Sequence, residues 1–209
     1  MTLTLYVGSK RYSSWSLRPY VALVHAGAKF DTKVILLDQK ATKAALRAVS
    51  PSSRVPVLHD GDLVVFDSLA ICEYVAELVP TAGLWPHDRA ARARARSIAA
   101  EMHSGFAALR NAMPMELVLD RTGEGRTAEA LADIERIQDV WRTALAASGG
   151  PFLFGTFTIA DAMYAPVTTR FRTYGVELAP VNQAYVDAVH ALPAMKMWYA
   201  DAAKELASR

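Results

Sequence analysis

Only one cysteine, Cys72, occurs in the 209 residues. An internal disulfide, a redox CxxC pair and a zinc site built from cysteine pairs are thereby excluded. The five histidines, His25, His59, His87, His103 and His190, are scattered, and none pairs at the i, i+3 or i, i+4 spacing that sets two imidazoles on one helical face. No metal is expected. Excess charge is scarce too, since the formal net charge is +2. The one dense basic stretch, Arg89-Ala90-Ala91-Arg92-Ala93-Arg94-Ala95-Arg96, lacks the interleaved aromatics of a single-strand binder, so no nucleic-acid partner is expected. Its Arg89, Arg92 and Arg96 align as one helical stripe, which reads as a solvated face or a contact for a partner subunit. No window of about 18 residues is both apolar and uncharged, so no membrane span is expected. The opening MTLTLYVGSKRYSS has neither the basic flank nor the apolar core of a secretory signal, and a cytoplasmic location is the expectation.

What is present is core material. Apolar residues make up 52% of the chain, while 11 glycines and 10 prolines are ordinary numbers, which excludes a disordered or fibrous protein. The apolar content suffices for one large domain or two small ones.

The first eighty residues mix strands and helices, and the remainder reads as helices alone. Leu3-Thr4-Leu5-Tyr6-Val7 alternates with a period of two and stops at Gly8, and Lys33-Val34-Ile35-Leu36-Leu37 is a second strand. Between them Trp15, Leu17, Tyr20, Val21, Leu23 and Val24 recur at near-helical spacing before Gly27. A polar helix is predicted from Asp38 to Val49. Val55–Leu58 and Leu63–Phe66 flank the turn His59-Asp60-Gly61-Asp62 as a hairpin, and a helix opens at Asp67-Ser68 and halts before Pro80. The order is βαβαββα. The rigid segment Pro80-Thr81-Ala82-Gly83-Leu84-Trp85-Pro86 is the best domain boundary. Residues 1–80 are predicted to form one domain, 81–88 a linker and 89–209 an all-helical domain. Its helices are expected over Asp88–Leu119, Thr127–Ala147, Ile159–Tyr174 and Asn182–Ala207.

Three fragments carry chemistry, and each also has a plain structural reading. Arg54-Val55-Pro56-Val57 puts a proline at the front of a strand, where a cis peptide would turn the Val55 main chain outward toward a peptide-like ligand and a trans one would make an ordinary edge. Asp67-Ser68 starts a helix. Its free N–H groups and positive dipole end favour a carboxylate, held by Ser68, while Asp67 has the sign to receive an ammonium group; both residues also make sense as simple caps. Tyr12-Ser13-Ser14-Trp15-Ser16 precedes another helix, where a serine hydroxyl and the dipole would lower the pKa of a bound thiol, or would merely cap.

Together and in this order, the fragments resemble the glutathione transferase superfamily, in particular its serine-type bacterial members. SSWSLRPYVAL resembles the zeta-type SSxSxRxxxAL, SPSSRVPVL resembles NPxxKVPxL, and FDSLAICEYVAE resembles ESxAIxxYL. The resemblance implies a thioredoxin-like N-terminal α/β domain joined to an all-α C-terminal domain, glutathione as co-substrate, and a homodimer. By position, Ser13 would stabilise the thiolate, with Ser14 and Ser16 beside it. Val55 precedes the implied cis Pro56 and would pair with the cysteinyl part, Asp67 and Ser68 would receive the γ-glutamyl group, and Arg54 would meet the glycyl carboxylate, helped by Lys40 or Lys43. Trp15 stands where zeta-type isomerases carry cysteine, and Asp67 is one methylene shorter than the family's Glu.

The activity so implied is conjugation of the glutathione thiolate to small hydrophobic electrophiles. Alternatives are a maleylacetoacetate-type isomerase, a peroxidase, or a non-enzymatic binding scaffold. Trp15, Met102, His103, Phe106 and Arg110 are the expected electrophile contacts, Leu109 and Met113 lie on the same predicted helix, and that face is equally a core face. Phe157-Thr158-Ile159-Ala160-Asp161 has capping-box spacing, with Asp161 in place of Glu or Gln and a small Ala162 where a staple residue belongs.

Overall fold

A computed structural model describes residues 3–37 and 39–207. Four strands, β1 (Leu3–Gly8), β2 (Phe30–Ile35), β3 (Val57–Asp60) and β4 (Leu63–Phe66), form one sheet in the order β2-β1-β3-β4. The β1–β2 pair is parallel and the other two pairs are antiparallel. Around the sheet lie α1 (Ser14–His25), α2 (Thr42–Val49) and α3 (Ser68–Leu78). The strand and helix order is the predicted βαβαββα, and alternation in β1 sends Leu3, Leu5 and Val7 into the core. The second strand lies earlier than its apolar run suggests. It begins at Phe30 because it pairs with β1 from Leu3, and it stops at Ile35 because the Leu36 carbonyl accepts the Thr42 hydroxyl instead (2.7 Å). The polar helix starts at Thr42, and the predicted start at Asp38 lies outside the described residues.

After a 3₁₀ turn at Pro80–Ala82 the chain is helical: α4 (Arg89–Ser104), α5 (Ala107–Ala112), α6 (Ala128–Ser148), α7 (Ile159–Thr173), α8 (Pro180–Ala191) and α9 (Pro193–Ala207). Two expected long helices are each broken. The Asp88–Leu119 helix breaks where Phe106 turns left-handed at φ 59°, next to Gly105, at which a Cβ would lie 2.7 Å from the Glu101 carbonyl. Its continuation ends before Pro114, and the Glu116 carboxylate then takes the Val118 N–H (2.9 Å) and Leu119 N–H (3.3 Å). The Asn182–Ala207 helix is cut by Pro193, which opens α9 at its first position.

One continuous apolar core runs through both halves, from Leu5, Leu17 and Val21 to Met163, Phe171 and Trp198. Its axis is α7, buried throughout Ile159–Phe171. Helix α1 packs against α7, α3 and α9, so its N-terminus sits where the strand-bearing half meets the helical half. Asp161 anchors the start of α7. Fully buried, it accepts the Leu153 N–H (3.0 Å), the Thr158 N–H (2.8 Å) and the Thr158 hydroxyl (3.0 Å). Burial pushes its carboxyl up to about 6 against the pull of those bonds. Phe157 packs on His25 and Phe152 rather than on Ala162.

Candidate active site

A cavity of about 340 Å³ opens on the strand-bearing half, lined by Trp15, Ser52, Arg54, Val55, Pro56, Phe66, Asp67 and Ser68. Two of the three sequence fragments meet in it, and the third borders it through Trp15. The Val55–Pro56 peptide is cis. None of the described hydrogen bonds engages the Val55 N–H or carbonyl.

Asp67 caps α3, its Oδ1 accepting the Leu69 N–H (2.8 Å) and the Ala70 N–H (3.3 Å). Its backbone sits at φ 76°, a conformation costly for a side-chain-bearing residue by about 1–3 kcal/mol and found where a ligand group must be aimed. Ser68 follows, 1% exposed, with Arg18 Nη1 donating weakly to its Oγ at 3.4 Å.

Ser13 is the N-cap of α1 and lies behind Trp15 rather than among the residues lining the cavity. Its hydroxyl donates to Ser16 Oγ (2.7 Å), which also accepts the Gly8 N–H (3.1 Å). Ser14 opens the helix, 6% exposed. The described backbone bonds use the N–H groups of Ser13, Ser14 and Leu17, and those of Trp15 and Ser16 take part in none of them, as is usual in a first helical turn. A Cβ on Gly8 would lie 2.9 Å from Ser13 Oγ and 3.0 Å from both Ser13 Cβ and Leu37 Cδ1. Turning the Ser13 hydroxyl relieves only the first of these, so the start of α1 or the Leu37 side chain must shift. Gly8→Ala is therefore expected to destabilise the protein by about 1–3 kcal/mol, and a thermal melt unchanged from wild type would show that the segment accommodates the methyl.

The loop before Ser13 is clamped from the helical half. Trp198 Nε1 donates to the Lys10 carbonyl (2.7 Å), Glu205 accepts the Lys10 N–H (2.9 Å), and Lys10 Nζ pairs with Asp201 (2.6 Å). Arg11 Nε donates to both oxygens of the buried Glu116 (2.7 and 2.8 Å), whose hydrogen bonds hold its carboxyl below the ordinary range despite burial.

Of the expected electrophile contacts, only some face the cleft. Met102 is wholly buried and belongs to the core, as do Leu109 and Met113, because the apolar face of α4 and α5 packs inward. Phe106, 8% exposed, packs into the same core and does not line the cavity. Arg110 turns back to the end of α4, where Nε donates to the Gly105 carbonyl (3.0 Å) and Nη2 to the carbonyls of Met102 and His103. It also lies 4.8 Å from the Trp15 ring. His103 meets that ring edge-on at 5.3 Å and reaches Asp67 Oδ2 at 3.3 Å. Arg54 is exposed at the cavity mouth, and Lys40 and Lys43 are exposed and do not line it.

Arg18 stands at the fixed arginine of the zeta-type segment but has no role in the sequence reading, although an arginine beside Leu17 on an otherwise apolar helix face is itself a signal. It is fully buried, stacks on Trp15 at 4.3 Å, and its Nε and Nη2 have no partner among the described residues. Burial, reinforced by the charges of Arg110 and Arg170, pushes its guanidinium down to about 9. Arg170 is pushed down to about 10 by burial and by Arg110. Arg18 and Arg110 both lie over the Trp15 ring, and their positive charge favours an anion near it. Among the described residues no cluster of His, Cys, Asp or Glu is placed to hold a metal, and no helix is long and apolar enough to cross a membrane.

A thioredoxin-like sheet with a cis-proline and two helix starts gathered at one cavity, joined to an all-helical half, defines the glutathione transferase fold. Residues 12–78 match the glutathione S-transferase N-terminal domain family and residues 124–201 the C-terminal domain family. The chain belongs to the glutathione transferase family. It is 30% identical to a maleylpyruvate isomerase of Ralstonia sp over 182 residues, 82% of this chain and 86% of that protein. A probable maleylacetoacetate isomerase of Caenorhabditis elegans is 28% identical over 170 residues, 80% of this chain and 79% of that one. A solved glutathione transferase homolog from Burkholderia gl BGR1, with bound glutathione, superposes at a TM-score of 0.74 with 25% identity, covering 98% of this chain and 99% of that one.

Proposed function

We propose that the protein is a glutathione transferase that conjugates the glutathione thiolate to small hydrophobic electrophiles. The observation that carries this reading is the convergence of Arg54, Val55, cis Pro56, Asp67 and Ser68 on one cavity beside the start of α1. Asp67 receives the ligand's ammonium and Ser68 its α-carboxylate at the start of α3. The Val55 main chain pairs with the cysteinyl amide, and Arg54 meets the glycyl carboxylate. The thiol then lies at the start of α1. There the Ser13–Ser16 pair reverses: Ser16, still accepting the Gly8 N–H, donates to Ser13, and Ser13 donates to the sulfur. The hydrogen bond, the helix start and the buried guanidiniums all favour thiolate over thiol, raising the fraction of nucleophile at neutral pH. The electrophile sits against Trp15 and His103. The exposed edge-strand residues Leu63 and Phe66 support the homodimer expected of the family. On this reading residues 1–80 form the glutathione-binding domain, 81–88 the linker and 89–209 the helical domain.

A second reading, a glutathione-dependent cis–trans isomerase, is favoured by the maleylpyruvate and maleylacetoacetate isomerases among the relatives. The same thiolate would add to a conjugated double bond, allow rotation, and leave again. Product analysis separates the two, because conjugation consumes glutathione and isomerisation returns it.

Calorimetric titration with reduced glutathione tests the site itself. One saturable site per chain is expected, and Ser68→Ala is expected to weaken binding about 10- to 150-fold, the loss of a hydrogen bond to a charged group. Unaltered affinity in that variant would reduce Ser68 to part of the helix start.

A further inference from the structure

We propose that His103 competes with the ligand's ammonium group for Asp67, so that protonation of His103 closes the γ-glutamyl end of the cavity. The proposal rests on the reading of that cavity as a glutathione site. Asp67 has one oxygen to offer a ligand. Oδ1 is taken by two backbone N–H groups of α3, whereas Oδ2 lies 3.3 Å from His103 Nε2. His103 comes from the last turn of α4, so this contact bridges the two halves of the molecule directly over the ammonium position.

The ring has little freedom. It stands edge-on to Trp15 at 89°, and its Nδ1 is buried without a partner among the described residues. That arrangement suits the neutral tautomer with its hydrogen on Nε2, which donates to Oδ2 and leaves that oxygen a lone pair for the ammonium. An imidazolium is different. It brings a full positive charge to the oxygen the ligand needs, and its second N–H points into a spot with no acceptor.

The charged groups facing the imidazole are Asp67 at the start of α3, Arg18 on α1 and Arg110 on α5. Burial holds His103 below the ordinary imidazole range; Asp67 pulls it back up, and the two guanidiniums push the same way as burial. At neutral pH the ring is therefore uncharged and the site is open. As pH falls through the imidazole's titration, the dissociation constant for a glutathione thioether, which has no thiol to titrate, should rise with a limiting slope of about tenfold per pH unit.

The test is calorimetric titration of the full chain with S-methylglutathione, which keeps the γ-glutamyl group and has no thiol to titrate, at about pH 7.5 and about pH 5, on the wild type and on His103→Gln, whose amide donates without titrating. The wild-type dissociation constant is expected to rise at the lower pH, and that of the variant to stay within about twofold. A variant that keeps the wild-type dependence overturns the competition and assigns the titration to another group. Absence of saturable binding by either protein at the higher pH, with folding verified by circular dichroism, overturns the glutathione-site reading and the competition with it. A second measurement needs no variant: the His103 titration in wild type, followed by nuclear magnetic resonance with and without saturating glutathione. Because the ligand binds the neutral form, its midpoint should fall on binding, and a midpoint unmoved or raised overturns the proposal.

Discussion

Ser13→Ala is expected to raise the thiol pKa of bound glutathione by about one to two units and to cut kcat/KM about 10- to 150-fold, leaving the fold intact. The magnitude is that of one hydrogen bond to a charged group, about 1.5–3 kcal/mol, expressed once as a pKa shift and once as a rate. The backbone at this position is held independently of the hydroxyl. The Ser13 N–H bonds the Ser9 carbonyl (2.9 Å), and its own carbonyl accepts the Leu17 N–H (3.2 Å). The preceding Lys10 and Arg11 are fixed by Asp201, Glu205, Trp198 and Glu116. Loss of the hydroxyl therefore leaves the loop in place, and the measurement isolates the hydrogen bond to sulfur. Thiolate absorbance of the bound ligand against pH gives the pKa, and steady-state kinetics with a chromogenic electrophile give the rate. If Ser13→Ala turns over normally and Ser14→Ala does not, the role belongs to Ser14. Ser16 is the weaker candidate because its wholly buried oxygen is already occupied by the Gly8 N–H.

Asp161→Ala is expected to destabilise the protein by about 3–5 kcal/mol, a large part of the stability of an ordinary domain. The carboxylate is fully buried and accepts three bonds from Leu153 and Thr158. Alanine leaves those donors dry and unpaired, at about 1–3 kcal/mol each before relaxation, and removes the tie that starts the most buried helix of the molecule. Urea unfolding followed by circular dichroism measures the loss. A change below about 1 kcal/mol would mean that water or a shifted Thr158 replaces the carboxylate. The variant should lose stability far more than it loses affinity for glutathione, since α7 carries no residue of the cavity lining.

Local physics was readable in the chain to the extent that it is local. Alternation in Leu3–Val7, the proline at 56, the Asp67-Ser68 helix start and the Thr158–Asp161 spacing each depend on neighbours within a few residues, and each lies in the structure where its pattern puts it. The breaks at Gly105–Phe106 and Pro193 were local as well, yet the apolar periodicity on either side masked them. The second strand shifted because its ends are set by its partner β1, which periodicity within the strand does not contain.

The site divides along the same line. By itself the sequence determined which residue types are available: serines at one helix start, an acid and a serine at another, a proline before a strand, and no cysteine pair or metal set. Only the tertiary structure decided how they are used. It turned Ser13 toward Ser16, sent Met102 into the core, spent Arg110 on the end of α4, buried Arg18 under Trp15 with two of its three nitrogens unpartnered, and brought His103 to Asp67. Those outcomes depend on which faces are left after packing and on which charges meet in a low dielectric. Both are properties of residues far apart in the chain, and no spacing along it encodes them.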